Sequence, residues 1–336
     1  MKAALLTTPG IANLTITDVA EPEPGPGEVK VRIRASSLNY RDLITVEGGY
    51  GSKQKQDGLI PLSDGAGEVA SVGAGVTAFK PGDRVTPIFF PDWLGGEPTA
   101  QGMARALGGS AQGCAAEFQC FPEHGLVRTP TFLSDAEAAS TVCAGLTAWQ
   151  AVVEQGRIRP GDWVLTQGTG GVSIFALQFA KAMSARVIAT TSSDAKAAKL
   201  RELGADQVLN YRDITDWGKA AKSLTGGAGV DLVVEVGGAG TLGQSLRAVR
   251  IGGTIAMIGV LAGQKSEVNM GFVLMTNSRI QGITVGSREM HVAMYKAMEA
   301  HDIHPVISDS FPLSGIREAM AHQQAGRHFG KIALEI

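Results

Sequence analysis

The chain has 336 residues, 44% of them hydrophobic and 18% charged, with a formal net charge of −2. That length accommodates two domains with separate cores, and that composition excludes a disordered chain. No Lys/Arg cluster marks a nucleic-acid face. No apolar run reaches about 18 residues, and the N-terminal run Ala3 to Leu6 is too short for a signal h-region, so neither a membrane span nor secretion is indicated. Cys114, Cys120 and Cys143 form no CxxC pair. A disulfide framework is therefore not expected, a four-cysteine zinc site cannot be built within one chain, and a reduced, cytoplasmic setting is the expectation.

From residue 1 to about 125 the pattern predicts a β-rich domain of short strands. After the stiff turn region EPEPGPG, Gly27 to Arg34 alternates apolar and charged residues, the period of a half-buried strand. A second strand is predicted over Gly67 to Val72, and a third from Asp83 after the turn Lys80-Pro81-Gly82. The texture changes near Ala144. Trp163 to Thr166 is a short apolar run suited to a buried parallel strand. Val172, Phe175, Ala176, Phe179, Ala180 and Met183 then recur at helical spacing. A strand over Arg186–Thr190 and a helix over Asp194–Leu203 follow, with further strands at Gln207–Leu209, Asp231–Val236, Thr254–Ile258 and Ile280–Val285. Strands alternating with helices predict an α/β domain, a doubly wound parallel sheet, over 126–286. The helical stretch Met290–Glu299 and a closing strand Lys331–Ile336 fall in 287–336, which is grouped with 1–125.

Gly168-Thr169-Gly170-Gly171-Val172-Ser173 sits between a strand and a helix, where a phosphate-binding turn belongs. Glycine there lets backbone N–H groups approach a pyrophosphate, and the helix N-terminus adds about half a positive charge. Ser173 replaces the third glycine of G-x-G-x-x-G, so the strand before and the amphipathic helix after carry the reading as much as the glycines do. An NAD enzyme commonly places Asp or Glu at the end of the second strand. Here Thr190-Thr191-Ser192-Ser193 stand there instead. Small hydroxyls at Ser192 and Ser193 leave room for a 2′-phosphate, Lys196 offers a countercharge, and Tyr211 offers a hydroxyl and a ring for the adenine, so NADPH is the predicted cofactor.

The segments GEVKVRIRASSLNYRDL, PLSDGAGEVASVG, KPGDRV, AGLTAWQAV, GDWVLTQGTGGVS, LGADQVLNY and HFGKIAL together resemble the medium-chain dehydrogenase/reductases, within them the zinc-free quinone oxidoreductase and enoyl reductase branch. The resemblance covers essentially the whole chain. It implies a GroES-like catalytic domain, a Rossmann domain, an active site between them, and a homodimer formed through the edge strand near Ile280–Val285. Zinc-dependent members hold their catalytic metal with Cys, His and Cys at positions matching Asn39, Ser63 and Cys143, and the acid after that His matches Asp64. One thiolate cannot make a three-ligand zinc site. The four-cysteine lobe of zinc members corresponds to about 89–113, which holds no cysteine, so no metal is expected. His301 and His304 lie close together but far along the chain from Asn39 and Ser63, and are read as exposed or capping residues.

Without a Lewis acid, a conjugated acceptor or quinone is the easier substrate, because it needs only hydride and hydrogen bonds or a proton for the resulting enolate. The stretch Asn39-Tyr40-Arg41-Asp42 followed by Tyr50 resembles the enoyl reductase pattern, in which that tyrosine donates a proton or polarises the carbonyl. Asn39 offers an amide donor near the nicotinamide, and Thr147 matches a position contacting its face. Gly259 and Lys331 are counted with the cofactor-binding residues. The insertion PIFFPDWLGGEPTAQGMARALGGSAQG, with Phe89, Phe90 and Trp93, either shapes the mouth of the cleft or is an irregular lobe. Two other functions stay open: an alcohol dehydrogenase with atypical metal use, and a non-enzymatic NADPH-binding sensor or structural protein.

Overall fold

The computed structural model describes residues 1–55, 57–265 and 267–336. They form two compact units, unit 1 (Met1–Leu146 and Gly286–Ile336) and unit 2 (Thr147–Val285). In chain order, unit 1 begins with strands β1 (Lys2–Leu6), β2 (Leu14–Asp18), β3 (Glu28–Ser37), β4 (Asp64–Val72), β5 (Arg84–Pro87), β6 (Phe118–Pro122) and β7 (Leu126–Arg128), and helices α1 (Tyr40–Val46) and α2 (Asp135–Ser140). Helix α3 (Leu146–Trp149) lies between two wide π-type turns, Thr141–Gly145 and Gln150–Gln155. Unit 2 then carries β8 (Trp163–Gln167), α4 (Gly171–Ala182), β9 (Arg186–Thr191), α5 (Asp194–Glu202), β10 (Gln207–Asn210), α6 (Trp217–Leu224) and β11 (Val230–Glu235). It closes with α7 (Leu242–Ala248), β12 (Val249–Met257), α8 (Met270–Thr276) and β13 (Arg279–Gly282). The chain returns to unit 1 through α9 (Arg288–Ala300), β14 (Ile307–Pro312), α10 (Ile316–Gln324) and β15 (Lys331–Glu335).

The main sheet of unit 1 runs β14-β15-β3-β4-β5-β7, with β6 also pairing β3. β3 explains itself: its alternating valines and isoleucine, Val29, Val31 and Ile33, face a core shared with Val69, Val85, Phe121 and Leu126. Each such side chain contributes about 1.5–3 kcal/mol by leaving water. Gly67 is required where β4 crosses β3, since a Cβ there would stand 2.0 Å from the Arg32 carbonyl oxygen. β15 pairs antiparallel with β3, Ala333 opposite Ser37, which brings the start of β15, with Lys331, beside the end of β3. The unit boundary falls at 146/147 and not at 125/126. Residues 126–146 stay with unit 1 because β7 pairs with β5 and Arg84 grips Asp135 of α2 at 2.6 Å.

Unit 2 is a six-stranded parallel sheet in the order β10-β9-β8-β11-β12-β13. Leu165, Ile188, Val233 and Ile255 form its core, which is why these strands read as short apolar runs. The chain enters at β8, winds out to β10 on one side and then from β11 to β13 on the other. That reversal puts the topological switch point between β8 and β11, at the strands' C-terminal ends. β13 ends at Gly282 and does not reach Val285, whose φ of 53° turns the chain out of the sheet.

The insertion after β5 is a packed lobe of unit 1. Phe89, Phe90 and Trp93 are buried, Phe89 edge-on to Phe90 with centroids 4.6 Å apart. These rings lie in the lobe's interior.

Unit 1 also buries a polar chain with no charge in it. Thr86 Oγ1 lies 2.8 Å from Thr129 Oγ1, accepts from the Tyr295 hydroxyl at 3.0 Å, and Tyr295 lies 3.0 Å from Thr141, itself 3.3 Å from His291 Nε2. Burial drives the His291 pKa from its ordinary 6.5 to about 3. The imidazole is therefore neutral in the fold but protonates in the unfolded chain below pH 6.5, so its contribution is complete above that pH and is lost as pH falls toward 3. The unfolding free energy should drop by about 1.4 kcal/mol per pH unit from this group alone. Denaturant titrations between pH 6.5 and 5 should show that slope reduced in His291→Leu; an unchanged slope refutes the assignment.

Candidate active site

In unit 1 three strand ends converge on one buried ion pair. Lys331 opens β15, Asp64 opens β4, and Asn39 follows β3 as the N-cap of α1. The Lys331 ammonium donates to Leu38 O at 2.7 Å, Asn39 Oδ1 at 2.6 Å and Asp64 Oδ2 at 3.1 Å. Asp64 also accepts from the hydroxyls of Ser37 at 2.6 Å and Ser63 at 2.9 Å. An ammonium only donates, so Asn39 must present its oxygen to Lys331 and its Nδ2 the other way. That Nδ2 is buried and has no partner. A buried amide NH2 left unpaired costs about 1–3 kcal/mol, which an acceptor on a ligand would relieve.

Helix α1 carries the next layer. The Asn39 backbone N–H donates to Asp42 Oδ2 at 2.8 Å, and Arg41 donates to Asp42 Oδ1 at 3.2 Å. Burial raises the Asp42 carboxyl to about 6, against the lowering pull of Arg41. Arg41 is held from the far side by the lobe, donating to Leu107 O at 3.0 Å, with its guanidinium 5.0 Å from the Phe89 centroid. The same guanidinium lies 5.9 Å from the Tyr50 ring. Tyr50, 39% exposed, has its phenol pushed up by burial, with Arg41 opposing. Cys143 lies in the first π-type turn; burial, reinforced by the Asp64 charge, pushes its thiol up to about 12.

Two of the three positions that the resemblance matches to zinc ligands are committed elsewhere: Asn39 Oδ1 faces an ammonium, and the Ser63 hydroxyl donates to Asp64. Among the described residues no group of three His, Cys, Asp or Glu side chains could hold a metal ion. His304 pairs with Glu137 at 2.8 Å, and His301 caps the end of α9.

Unit 2 holds the second group. Gly168 takes φ +70° and its N–H donates to Thr190 O at 2.9 Å, tying the turn to the end of β9. A Cβ at Gly168 or Gly170 would meet nothing within 4 Å, so both face open space at the start of α4. The first-turn N–H groups of α4 and that open space fit a pyrophosphate. Ser173, in place of the third glycine, is buried and donates to Gln167 O at 2.6 Å, bracing the turn from behind. Thr169 is buried, and Gly171 and Val172 open the helix. Thr190 and Thr191 are buried, and Ser193 caps α5 by accepting from the Lys196 N–H at 3.4 Å. Burial lowers the Lys196 ammonium, with Lys199 adding to it. Tyr211 is exposed just beyond β10. Gly259 allows the loops after β11 and β12 to touch, since a Cβ there would lie 2.2 Å from Val236 O. Thr147 is buried where unit 2 begins.

The structure thus gathers Gly168 to Ser173 and Thr190 to Ser193 at the C-terminal ends of the neighbouring strands β8 and β9, and Asn39 with Lys331 in unit 1. Lys331, counted by sequence with the cofactor residues, has its ammonium bonded to three acceptors within unit 1. Arg41, Asp42 and Ser37 were not singled out from sequence, although NYRD contains two of them.

Residues 25–131 match the alcohol dehydrogenase GroES-like domain and residues 171–300 the zinc-binding dehydrogenase domain. A zinc-type alcohol dehydrogenase-like protein of Schizosaccharomyces pombe is 42% identical over 309 residues, covering 90% of this chain and 89% of that protein. The chain belongs to the medium-chain dehydrogenase/reductase superfamily. Another member, the acryloyl-coenzyme A reductase of Metallosphaera sedula, is 28% identical, with 95% of each chain covered. Among solved superfamily structures, an NAD-dependent alcohol dehydrogenase superposes with a TM-score of 0.92 at 34% identity, covering all of both chains. A mycobacterial protein complexed with NADPH superposes with a TM-score of 0.85 at 27% identity, again covering all of both chains. The superfamily assignment makes this chain an oxidoreductase of GroES-like plus Rossmann architecture.

Proposed function

We propose that this oxidoreductase is a quinone oxidoreductase-like reductase that uses NADPH to reduce an activated C=C bond or quinone carbonyl and works without zinc. The observation that carries the reading is the Lys331–Asn39–Asp64 cluster, in which an ammonium fixes the amide of Asn39, the residue that the resemblance matches to a metal ligand of zinc-dependent members. The Asn39 Nδ2, held outward by Lys331, is the donor for a carbonyl oxygen gaining charge. Tyr50 is the proton source, its phenol held protonated at neutral pH. The dinucleotide, when bound, supplies the hydride. Gly168, Thr169, Gly170, Gly171 and Val172 would hold its pyrophosphate, Ser192, Ser193 and Lys196 its 2′-phosphate, and Tyr211 its adenine. The acryloyl-coenzyme A reductase relative supports C=C reduction, and the absence of an acid at the end of β9 supports NADPH.

The test is oxidation of NADPH and of NADH against quinones, enones, 2-enals and enoyl thioesters. A KM for NADPH at least tenfold below that for NADH, with turnover insensitive to chelators, is expected. Equal use of the two dinucleotides rejects the NADPH preference. Activity confined to alcohols and lost to chelator favours the metal-using alternative, and tight NADPH binding with no turnover across the panel favours the sensor.

No helix among the described residues is long and apolar enough to cross a membrane. Three cysteines outside any disulfide fit the reducing cytoplasm we propose for it. We also propose a homodimer through β13, an edge strand of the parallel sheet. Just before it in the chain, α8 exposes Leu274 and Met275, each 78% accessible, a patch suited to burial against a second copy. Ile280→Lys should shift the protein from dimer to monomer in light scattering; a monomeric unaltered protein rejects the dimer.

A further inference from the structure

Glu235, the last residue of β11, is fully buried and accepts five hydrogen bonds, all from uncharged donors. Oε1 takes the Gly237 N–H at 2.8 Å, the Gly238 N–H at 2.9 Å and the Thr241 hydroxyl at 2.5 Å. Oε2 takes Gln167 Nε2 at 2.8 Å and the Ser245 hydroxyl. Gln167 is the last residue of β8, next to Gly168, and its Oε1 accepts from the Val236 and Gly237 N–H groups, both at 3.2 Å. The Glu235 backbone carbonyl takes the N–H groups of Ile258 at 2.9 Å and Gly259 at 3.2 Å. One residue therefore fixes the loops leaving β8, β11 and β12, on the side of the switch point away from β9.

A dinucleotide lies across such a switch with its adenosine ribose at the end of the second strand, here β9, which leaves the other half over β11 and β12. We infer that Glu235 is a positioning residue for the nicotinamide half of the dinucleotide, acting through Gln167 and the Val236–Gly240 turn. The inference rests on the dinucleotide reading above. A carboxylate suits the place because every neighbour donates and its two oxygens supply about four lone-pair sites. A glutamine of the same shape would bring an NH2 against two or three donors, so the exchange loosens the turns without opening a cavity.

Calorimetry on the full chain with NADPH and with 2′,5′-ADP, which carries only the adenosine half, separates a positioning role from a general structural one. Glu235→Gln is expected to weaken NADPH binding at least tenfold while leaving the 2′,5′-ADP Kd within twofold, and Thr241→Val to show the same pattern more mildly. If Glu235→Gln does not fold, Thr241→Val is read instead, a loss of NADPH affinity of about threefold or more with the 2′,5′-ADP Kd within twofold being the expected result. Equal weakening of both ligands, or of neither, overturns the inference. An unaltered protein that binds 2′,5′-ADP but not NADPH also overturns it, whereas one that binds neither removes the dinucleotide reading first and this inference with it.

Discussion

Lys331→Met is expected to lower the unfolding free energy by about 3–5 kcal/mol, the cost of breaking a buried pair by removing one partner. Asp64 is fully buried, and with the ammonium gone its charge would be left to the Ser37 and Ser63 hydroxyls. The lost stability comes chiefly from that uncompensated carboxylate, so the loss should shrink when the carboxylate is also removed. In denaturant titrations at neutral pH, Lys331→Met/Asp64→Asn should lose clearly less than the sum of the single variants. Strict additivity would mean that the two side chains do not share the burden. Turnover should fall too, because the amide of Asn39 loses the ammonium that dictates which way it points. A Lys331→Met variant with full stability and full activity would rule out the cluster as the core of the site.

The pattern of this cluster shows what a sequence can and cannot announce. The strand–turn–helix around Gly168 was legible because each part has its own signal: an apolar run, glycines with unusual backbone freedom, then a 3.6-residue period. The parallel sheet was legible for the same reason, and its predicted strands match β8 to β12 within a few residues. β1, β2 and β14 were not, being short strands whose pairing is set by distant partners. The loss of two zinc ligands at Asn39 and Ser63 could be read off the family resemblance. That Lys331 reaches Asn39 across almost the whole chain could not, since β15 meets β3 only through the fold. Glu235 gave no signal either: an acid at the end of an apolar strand looks like the beginning of a solvated loop. Only the ring of donors around it shows otherwise. The aromatics of the insertion leave the sequence open between a cleft mouth and an irregular lobe; the fold shows Phe89 and Trp93 buried, with Phe89 packed under Arg41.

That support for Arg41 leads to the second large effect. Tyr50→Phe is expected to lower kcat/KM toward enones or quinones by about a hundredfold, the lower range for losing a positioned general acid, with NADPH affinity unchanged. The ring would remain beside Arg41, so the loss would report the hydroxyl and not the packing. Arg41 should matter through the same tyrosine. It is anchored to Asp42 and to the lobe at Leu107, and its guanidinium stands against the phenol ring and opposes the burial that raises it. Arg41→Met should therefore lower kcat/KM about tenfold, and Arg41→Met/Tyr50→Phe should be no slower than Tyr50→Phe alone, the non-additivity of residues acting as one unit. Tyr50→Phe activity within twofold of the unaltered protein on every acceptor would assign the tyrosine to the loop and not to the chemistry. Multiplying losses in the double variant would instead give Arg41 a role independent of Tyr50, one in which Asp42 and the Asn39 backbone are its targets.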